Sequence, residues 1–456
     1  MFKNVCAALL FGLGANAAAV AAGGPQDELE ITLNSGETLL EFDWPILEIG
    51  TAEYEAGPTG ATVFRFGRKV HVAIDVRGGG PGTVNAPYME LGYKYAELDT
   101  VVFAGGSWYG LEAVTGVATA LIDDGVRDAV AWGEVPNLAM SVGSVIYDLG
   151  PRRFNEIYPD KRLGQAAYRA ARPGVFALGA HGGGRLAVSG GFFDCNAKSG
   201  QGGAFRQIGD VKIAVFTVVN ALGVIVDRDG RVVACYGGED WPEDLYAKDL
   251  LTSYPATKDG DWQGPERKNT TLTLVVVNQK MTPVDLKRLA VQAHTSMARA
   301  IQPYSTVFDG DVLYAVSTGE VEKTAFEPIE LGVIAGEVAW DAILSSVPEQ
   351  PRAPAIDLSF EPAPETLQSH AGDYIFSDEV SLRVAYRRGK LVARASGSRD
   401  VFSIDKKSWT QLHPLPDGRY VVPERYPFVI VFEDDRMKIN PGRWAQTGRR
   451  LETAAP

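Results

Sequence analysis

Five prolines, at positions 348, 351, 354, 362 and 364, crowd one short stretch of this 456-residue chain, PEQPRAPAIDLSFEPAPE. Each proline fixes φ and lacks a backbone N–H, so prolines at this density block helices and strand ladders. A stretch of this kind favours an extended spacer. We therefore predict a linker at residues 348–365, which separates a long first unit, residues 23–347, from a C-terminal unit, residues 366–456.

The first unit mixes strand-like and helix-like segments, which predicts an α/β fold. VKIAVFTVVN, residues 211–220, is typical of a buried strand, and GVIVDRDGRVVAC predicts two short strands around an Asp229-Gly230 turn. TPVDLKRLAVQAHTSMARAIQ predicts a helix with Thr282 as its N-cap and Pro283 at its first position. LGVIAGEVAWDAILSSV predicts a second, largely apolar helix.

The C-terminal unit has the alternation of β-strands. VSLRVAYRRGKLVARA alternates on either side of Gly389, and PFVIVFEDDRMKI is a second run of this kind. We predict a small all-β accessory domain that packs on the first unit or contacts its substrate. It contains no catalytic constellation of its own.

The first 22 residues have the order of a secretory signal peptide. Lys3 gives a positive start, an apolar run covers residues 5–13, and small residues follow to Ala22. We predict cleavage near Ala22 and export to the periplasm or the medium. No later stretch has the roughly 20 apolar residues of a membrane span, so no membrane association is predicted.

Charge and composition exclude several function classes. The formal net charge of −13 argues against nucleic-acid binding, which needs basic patches. The five histidines are scattered, and no Cys/His cluster predicts a metal site. After export, Cys195 and Cys235 can form a disulfide or stay as two buried thiols, and the sequence leaves both alternatives open.

The sequence does not match the common motifs of serine nucleophiles. AMSVG around Ser141 lacks the first glycine of G-x-S-x-G, and the scarcity of histidine gives a Ser-His-Asp triad little support. An N-terminal threonine needs no histidine, because its own α-amine, with a pKa of about 7.7–8.0, can accept the hydroxyl proton. In KNTTLTLVVVNQ, Thr270 follows Asn269 at the head of a predicted buried strand, although threonine is also common there for purely structural reasons.

An ordered set of motifs resembles one known family. The motifs are GPTGATV, DVRGGGPGT, GGSWYGLEAVTGV, VIYDLG, YPDK, GQGGAFRQIGD, RKNTTLTLVVVN and MTPVDLKRLAVQAHTSMARAIQPYSTVFDGDVLYAVST. This order is similar to that of the self-cleaving peptidases, which comprise L-aminopeptidase/D-amidases, β-peptidyl aminopeptidases and nylon-oligomer (6-aminohexanoate-oligomer) endohydrolases. NTT, HTSM-x-R-x-IQP and DGD favour the nylon-oligomer branch. The signal peptide and the β tail lie outside the pattern.

The resemblance implies a fold and a self-processing step. It implies an N-terminal-nucleophile-like αββα sandwich, followed here by the small all-β domain. Thr270 matches the residue that is both the self-processing group and the nucleophile, and Asn269 matches the new end of the α chain. The β chain then begins at Thr270.

The resemblance also implies further site residues. Asn220 matches the oxyanion-hole asparagine, and Tyr147 matches a tyrosine near the reacting carbonyl. Asp309 and Asp311 match the acidic pair that positions the threonine amine and hydroxyl. Lys198 is the candidate for a catalytic lysine of the nylon-oligomer branch, in a shifted position.

The predicted function is hydrolysis of amide bonds in linear oligomers, nylon-like or peptide-like, through an acyl-threonine intermediate and without a cofactor. The first alternative is an aminopeptidase that releases N-terminal β-, D- or small L-residues. An acyltransferase on a related scaffold and an uncleaved exported binding protein are further alternatives. By resemblance, a homo-oligomer is expected, with a tetramer as the first candidate.

Overall fold

Two large β-sheets form the framework of the computed structural model, which describes residues 26–90, 93–127, 137–150, 152–236, 244–257, 269–352, 354–357, 359–423 and 426–451. Within these residues an eleven-stranded mixed sheet belongs to the first unit, and a nine-stranded antiparallel sheet belongs to the C-terminal unit. The predicted signal peptide and the stretch that leads into Asn269, residues 258–268, lie outside the described residues.

The bounds of the elements are as follows. The strands described in the first unit are β1 (Ile31–Leu33), β2 (Leu39–Glu41), β3 (Leu47–Tyr54), β4 (Thr59–Val76), β5 (Thr83–Val84), β6 (Glu97–Ala104), β7 (Ser141–Val145), β8 (Arg172–Pro173), β9 (Val175–Ala177), β10 (Val188–Ser189), β11 (Ala197–Lys198), β12 (Gln201–Ile208), β13 (Val211–Asn220), β14 (Val224–Ile225), β15 (Thr270–Gln279), β16 (Ile301–Gln302) and β17 (Val312–Val321). The α-helices of the described chain are α1 (Ala86–Glu90), α2 (Leu111–Asp123), α3 (Lys161–Arg169), α4 (Ala247–Thr257), α5 (Pro283–Ser296), α6 (Pro328–Ser345) and α7 (Pro364–Ser369). The strands described in the C-terminal unit are β18 (Gly372–Ile375), β19 (Ser381–Arg387), β20 (Lys390–Ala395), β21 (Thr410–Gln411), β22 (His413–Pro414), β23 (Tyr420–Val421), β24 (Val429–Glu433), β25 (Arg436–Ile439) and β26 (Gln446–Arg450).

The large sheet places three neighbouring strands at its centre. Its main path runs β12-β13-β15-β17-β4-β6-β7-β5, and β3 pairs with β1, β4 and β8. β13 and β15 are antiparallel, whereas β15 and β17 are parallel. The end of β13 and the starts of β15 and β17 therefore meet at one edge of the sheet. That edge carries the candidate site.

Alternate residues of the strands enter different cores, as the two-residue period of a strand requires. On β15, Leu272 and Leu274 join a central core that also contains Phe64 and Phe103 from β4 and β6. Val275 of the same strand joins a second core, which is shared with helices α5 and α6. A third core lies between β3, β4 and β6 and helices α2 and α3. The sequence prediction of an α/β unit is confirmed.

The sheet of the C-terminal unit nearly closes on itself. Its order is β21-β20-β19-β18-β26-β25-β24-β23-β22, with every pairing antiparallel. The two end strands, β21 and β22, are joined in the chain by the single residue Leu412, which is buried in the core of this unit. The prediction of an all-β tail is confirmed, with the short helix α7 preceding the first strand.

The two units share buried contacts. Phe154 of the first unit enters the core of the C-terminal unit, where it lies edge-on against Phe376 with the ring centroids 5.1 Å apart. Gln446 accepts a hydrogen bond from the Phe154 N–H at 2.6 Å and donates one to the Arg152 carbonyl at 2.6 Å. The C-terminal unit therefore docks on the first unit through both apolar and polar groups.

Local predictions were confirmed in part. Thr282 caps α5 by accepting from the Asp285 N–H, but the helix ends at Ser296, because the chain must turn to pair β16 with β14. The two strands expected around Asp229-Gly230 are reduced to β14 and one bridge between Val226 and Val232.

Cys195 and Cys235 form a disulfide with an S–S distance of 2.07 Å, so of the two alternatives that the sequence left open, the structure has the disulfide. None of the described helices is both long enough and apolar enough to span a membrane.

Candidate active site

Strand register brings Thr270 and Asn220 side by side. Thr270 is the first residue of β15, Asn220 is the last residue of β13, and the two are directly paired in the antiparallel ladder. Both are almost fully buried, with exposed fractions of 5% and 1%. The fold thus joins two residues that are 50 positions apart in the chain.

The peptide before Thr270 is held by two donors. The Thr270 hydroxyl donates to the carbonyl oxygen of Asn269 at 2.5 Å, and the Gly310 N–H donates to the same oxygen at 2.7 Å. The Asn269 N–H in turn donates to the Phe308 carbonyl at 3.1 Å. A backbone N–H aimed at a carbonyl oxygen stabilises the negative charge that develops there when a nucleophile attacks the carbon. The uncut chain therefore has a donor in place for an attack on the Asn269 carbonyl.

The loop between β16 and β17 carries the acidic pair beneath Thr270. Asp311 is fully buried and accepts the N–H groups of Thr271 at 2.5 Å and Ser305 at 3.1 Å. Asp309 accepts the N–H of Leu222 at 3.3 Å and the N–H of Thr306 at 3.0 Å. The two carboxylates therefore fix the loop on both sides of the Asn269–Thr270 peptide.

Burial and mutual repulsion change the protonation of this pair. Burial raises the pKa of Asp311 well above its usual range, and the neighbouring Asp309 carboxylate raises the pKa further. Burial also raises the pKa of Asp309, although hydrogen bonds from Thr306 oppose the shift. Two buried carboxylates this close do not both ionise readily, so the pair can retain or exchange a proton near neutral pH.

Glycine is required where two backbones meet at this site. A Cβ on Gly78 would lie 2.2 Å from the Asp311 nitrogen and 2.4 Å from the Asp309 carbonyl oxygen. A Cβ on Gly310 would lie 2.7 Å from the Thr270 hydroxyl oxygen. The Gly80 N–H donates to the Asp309 carbonyl at 2.9 Å. The GGGPGT motif thus forms a backbone support for the acidic loop.

Asn220 and Tyr147 are adjacent. The Asn220 side-chain amide donates to the Tyr147 carbonyl at 3.2 Å, and its oxygen accepts the Val188 N–H at 3.1 Å. The Tyr147 hydroxyl donates to the Leu149 carbonyl at 3.5 Å, and Tyr147 lines the cleft described next. The structure therefore brings together Thr270, Asn269, Asn220, Tyr147, Asp309 and Asp311.

A cleft of about 910 Å³ opens above Thr270 and Asn269. Its walls include aromatic side chains from several parts of the chain, namely Trp108, Tyr109, Tyr147, Tyr158 and Phe308. Of these, Trp108 is 73% exposed, which is unusual for a side chain of its size. We call this space the Thr270 cleft.

The described lining of the Thr270 cleft includes two charged side chains. Glu156 belongs to the first unit, and Arg399 belongs to the C-terminal unit. They form an ion pair at 2.9 Å, and Arg399 also donates to the Leu149 carbonyl at 3.3 Å. The C-terminal unit thus forms part of the cleft wall.

Lys198 lies in a different cavity. It lines a space of about 230 Å³ between the two units, which we call the interface cavity, and its ammonium lies 5.0 Å from the ring centroid of Trp444. Lys198 is absent from the described lining of the Thr270 cleft. The structure therefore does not join the predicted catalytic lysine to the other candidate residues, because the loop before β12 directs its side chain toward the C-terminal unit.

Three contributions were missed by the sequence interpretation: the Gly310 N–H, the support from Gly78, and Arg399 in the cleft wall. The glycines stood in the motifs GGGPGT and DGD, but a motif does not reveal which backbone groups approach one another. Nothing in the sequence around Arg399 indicated a place in the cleft.

No group of three or more His, Cys, Asp or Glu side chains in the described part of the chain is arranged to hold a metal ion. The chemistry that the site can perform on its own residues is acyl transfer to a threonine hydroxyl. The peptide between Asn269 and Thr270, an aligned N–H donor and an acidic pair with raised pKa values are its components.

Comparison with known proteins identifies the family. Residues 43–352 match the model of peptidase family S58. The chain is 38% identical to the 6-aminohexanoate-oligomer endohydrolase of Paenarthrobacter ureafaciens over 338 residues, which cover 71% of this chain and 91% of that protein. An enzyme of the same description from an Agromyces species is also 38% identical, with the same shares covered.

A solved structure is similar at lower identity. It is the L-aminopeptidase D-Ala-esterase/amidase of Ochrobactrum anthropi, with 17% identity and a TM-score of 0.46. The match covers 66% of this chain and 83% of that one. The family match includes Tyr147, Asn220, Asn269, Thr270, Asp309 and Asp311, and it ends at residue 352, before the C-terminal unit. The chain belongs to peptidase family S58 and is an amide-bond hydrolase.

Proposed function

We propose that this protein cuts its own chain between Asn269 and Thr270 and then uses Thr270 as the nucleophile against amide bonds of linear oligomers. The proposal rests on one observation: the Asn269 carbonyl oxygen accepts hydrogen bonds from both the Thr270 hydroxyl and the Gly310 N–H. A group poised this close to its target gains much of its rate from proximity alone.

Self-processing consists of an acyl shift from nitrogen to oxygen and a hydrolysis. Thr270 Oγ attacks the Asn269 carbonyl carbon, the bond from that carbon to the Thr270 nitrogen breaks, and the hydroxyl proton passes to the leaving nitrogen. The product is an ester between Asn269 and Thr270 Oγ. Water then hydrolyses the ester and gives an α chain that ends in the Asn269 carboxylate and a β chain that begins with a free Thr270 amine.

The mature site repeats this chemistry on a substrate. The freed α-amine, with an ordinary pKa of about 7.7–8.0, accepts the Oγ proton as the hydroxyl attacks the substrate carbonyl. Asp311 bonds to the N–H of the next residue, Thr271, and so lies beside the new amine. Asn220 and Tyr147 are proposed to donate to the oxyanion, a role worth about 2.7–4 kcal/mol for one donor.

The size and walls of the Thr270 cleft support an oligomeric substrate. A volume of about 910 Å³ lies at the upper end of the usual range for small-molecule sites, and aromatic walls suit the methylene chains of an aliphatic amide. Relatives 38% identical to this chain are described as 6-aminohexanoate-oligomer endohydrolases. We therefore propose linear 6-aminohexanoate oligomers, or peptides of similar extent, as the substrate class.

The alternative of an aminopeptidase has one specific observation in its favour. Glu156 is a carboxylate in the cleft wall and is half exposed, so it can pair with a substrate amine. An oligomer with an acetylated amino end separates the two functions. Internal cutting proceeds on the blocked oligomer, whereas an aminopeptidase leaves it intact.

The first experiment tests self-processing with matched variants. Purified wild type, Thr270→Ala and Thr270→Ser are compared by denaturing gel, intact mass and N-terminal sequencing. We expect two fragments in wild type, one beginning Thr-Thr-Leu-Thr, a single chain in Thr270→Ala, and slower cutting in Thr270→Ser, which keeps a hydroxyl. A wild type that stays uncut and hydrolyses no oligomer would contradict the proposal.

Further parts of the proposal concern the fold, the export and the assembly. The three cores support an αββα sandwich, with one helix pair on each side of two facing strand layers. We propose export after removal of residues 1–22, and a homo-oligomer in solution. N-terminal sequencing of the α chain from a native host and light scattering of the purified protein check these two points.

A further inference from the structure

The interface cavity is separate from the Thr270 cleft, and the two share none of their described lining residues. The first unit contributes Arg152 and Lys198 to its wall, and the C-terminal unit contributes Phe402, Tyr426 and Trp444. The C-terminal unit lies outside the part of the chain that matches family S58. This cavity is therefore a feature of the two-unit architecture.

Two cations, the buried Lys198 and the partly buried Arg152, line the cavity without a described anion beside them. Lys198 has its ammonium over the ring of Trp444 at 5.0 Å, and Arg152 has its guanidinium over the ring of Tyr426 at 4.0 Å. Arg152 also donates to the Asn196 carbonyl at 3.3 Å. Within the described residues, neither cation forms an ion pair with a carboxylate, and no aspartate or glutamate lines the cavity.

Two other cations of the described lining are paired with carboxylates. Arg443 pairs with the buried Glu53 at 2.8 Å. Arg419 pairs with Asp417 at 2.7 Å and is 42% exposed. Arg352 also lines the cavity and has an interaction of its own. In the described lining, the cations that remain without a described carboxylate partner are Arg152 and Lys198.

Uncompensated buried charge is costly, and an anion between the two cations would remove the cost. The electrostatic effect is visible in Lys198 itself, since burial and the nearby Arg152 lower the pKa of its ammonium to about 7. Charge-assisted hydrogen bonds from an Arg and a Lys to one carboxylate are among the strongest in proteins.

We propose that the interface cavity binds a small organic carboxylate, with its charged end between Arg152 and Lys198 and its apolar body against Phe402, Tyr426 and Trp444. The volume of about 230 Å³ is below that of sites for drug-sized ligands, so the ligand is short. The aromatic wall favours a carboxylate with an apolar body over a bare inorganic anion.

Such a ligand contacts both units at once. It binds the docked arrangement and not the separated one, so it stabilises docking by mass action. This site makes no use of Thr270, and the proposal stands independently of the proposed amidohydrolase function.

The test is calorimetric titration of the full-length Thr270→Ala protein, which lacks the proposed nucleophile, with hexanoate and with hexanamide as the uncharged probe of equal shape. We expect one hexanoate per chain and no binding of hexanamide. Arg152→Met is expected to weaken hexanoate binding by about tenfold or more, the loss typical of a charged hydrogen bond. Arg383→Gln is the matched control, because Arg383 is paired with Asp373 and lies outside the described lining of the cavity, and it is expected to leave the affinity for hexanoate unchanged.

A second variant guards against misfolding. Lys198→Met removes the other cation, keeps most of the unbranched side chain, and is expected to weaken hexanoate binding to a similar degree. Since neither cation has a carboxylate partner, both variants are expected to melt at or above the temperature of wild type. Trp108→Ala alters the Thr270 cleft only and is expected to leave hexanoate binding unchanged.

Several outcomes overturn the proposal. These are absence of hexanoate binding, equal binding of hexanamide, and binding that both folded Met variants retain. A loss of binding in Trp108→Ala alone would place the ligand in the Thr270 cleft. Inorganic phosphate that binds more tightly than hexanoate would show that the site selects a bare anion instead of an organic carboxylate.

Discussion

Titratable groups with little exposure lie next to both the Thr270 cleft and the interface cavity, but the groups have opposite charge and opposite surroundings. Beside Thr270, backbone N–H groups from several loops bond to Asp309 and Asp311. In the interface cavity, Arg152 and Lys198 lie over aromatic rings and have no carboxylate partner in the described chain.

The acidic groups beside Thr270 have their hydrogen-bond partners within the chain, whereas the cations of the interface cavity are proposed to obtain theirs from a ligand. Fully bonded polar groups hold a fixed geometry, which an attack on one peptide carbonyl requires. Buried charges without partners favour binding of a counter-ion. Substitutions in the cleft should therefore act on chemistry, and substitutions in the interface cavity should act on stability and binding.

The largest expected effect comes from Gly310→Ala. The new methyl group would lie 2.7 Å from the Thr270 hydroxyl oxygen and 2.8 Å from the Gly80 carbonyl, so the acidic loop must move. A displacement of about 1 Å at a reacting group costs about 100-fold in rate, and we expect self-cutting to slow by at least that factor. The measurement is the appearance of the two fragments with time after synthesis.

Gly80→Ala is the matched control for Gly310→Ala. A methyl group on Gly80 meets only the Asp309 carbonyl oxygen, at 4.0 Å, so it has room. We expect normal self-cutting in this variant. Normal cutting in Gly310→Ala would remove the argument that the cleft depends on close backbone approach.

The second prediction concerns Asp311→Asn and the pH dependence of stability. The pKa of Asp311 is raised in the folded chain, so between its ordinary value of 3.8 and its folded value the folded state binds more protons than the unfolded state. Stability therefore falls as pH rises through this window. Asp311→Asn is expected to reduce the fall, as measured by melting temperature against pH in the uncut Thr270→Ala background.

Asp417→Asn provides the control for this charge change. Asp417 is exposed and paired with Arg419, and its pKa is lowered by that hydrogen bond. Its removal should leave the slope above pH 4 unchanged. An unaltered slope in Asp311→Asn would show that the acidic pair titrates normally.

The third prediction has the opposite sign and comes from the interface cavity. The pKa of Lys198 is lowered from 10.5 to about 7, so between these values the unfolded state binds the extra proton and stability rises with pH. Lys198→Met is expected to remove this rise and to stabilise the chain most at low pH. The change in pH dependence is measured from melting temperatures in the same Thr270→Ala background, with Arg419→Gln as control. If Lys198→Met changed the slope of melting temperature against pH in the same direction as Asp311→Asn does, the two sites would not have the opposite pH dependence that we predict.

The smallest expected effect is that of Arg399→Met. Arg399 reaches the cleft from the C-terminal unit and is paired with the half-exposed Glu156, and exposed pairs are worth about 0.2–1 kcal/mol. We expect KM for a 6-aminohexanoate oligomer to change by about two- to fivefold while self-cutting stays normal. Steady-state kinetics measure it, and Arg383→Met, paired with Asp373 outside the described lining of the cleft, is the control.

Several features of the fold follow from local sequence. β15 and β13 are runs of β-branched and apolar residues and are fully or almost fully buried, and Thr282 and Pro283 set the start of α5. These signals depend on residues that are close in the chain, and alternation or capping is enough to predict them.

Parts of the site were predictable only through motifs. Thr270, Asn220, Tyr147, Asp309 and Asp311 were identified by resemblance, and the structure places them together. Lys198 was identified in the same way, yet it lies in the interface cavity. A motif with a shifted spacing fixes the residue type but not the direction in which its loop points.

The sequence by itself determined the α/β character of the first unit, the β character of the tail and the threonine that heads β15. Tertiary structure alone decided that the Gly310 N–H meets the Asn269 carbonyl, that Arg399 enters the cleft, and that Arg152 and Lys198 share a cavity. Arg399 and Glu156 are 243 positions apart, and Gln446 and Phe154 are 292 apart. Contacts of this range arise when two folded units dock, and no local pattern of side chains records where docking will place them.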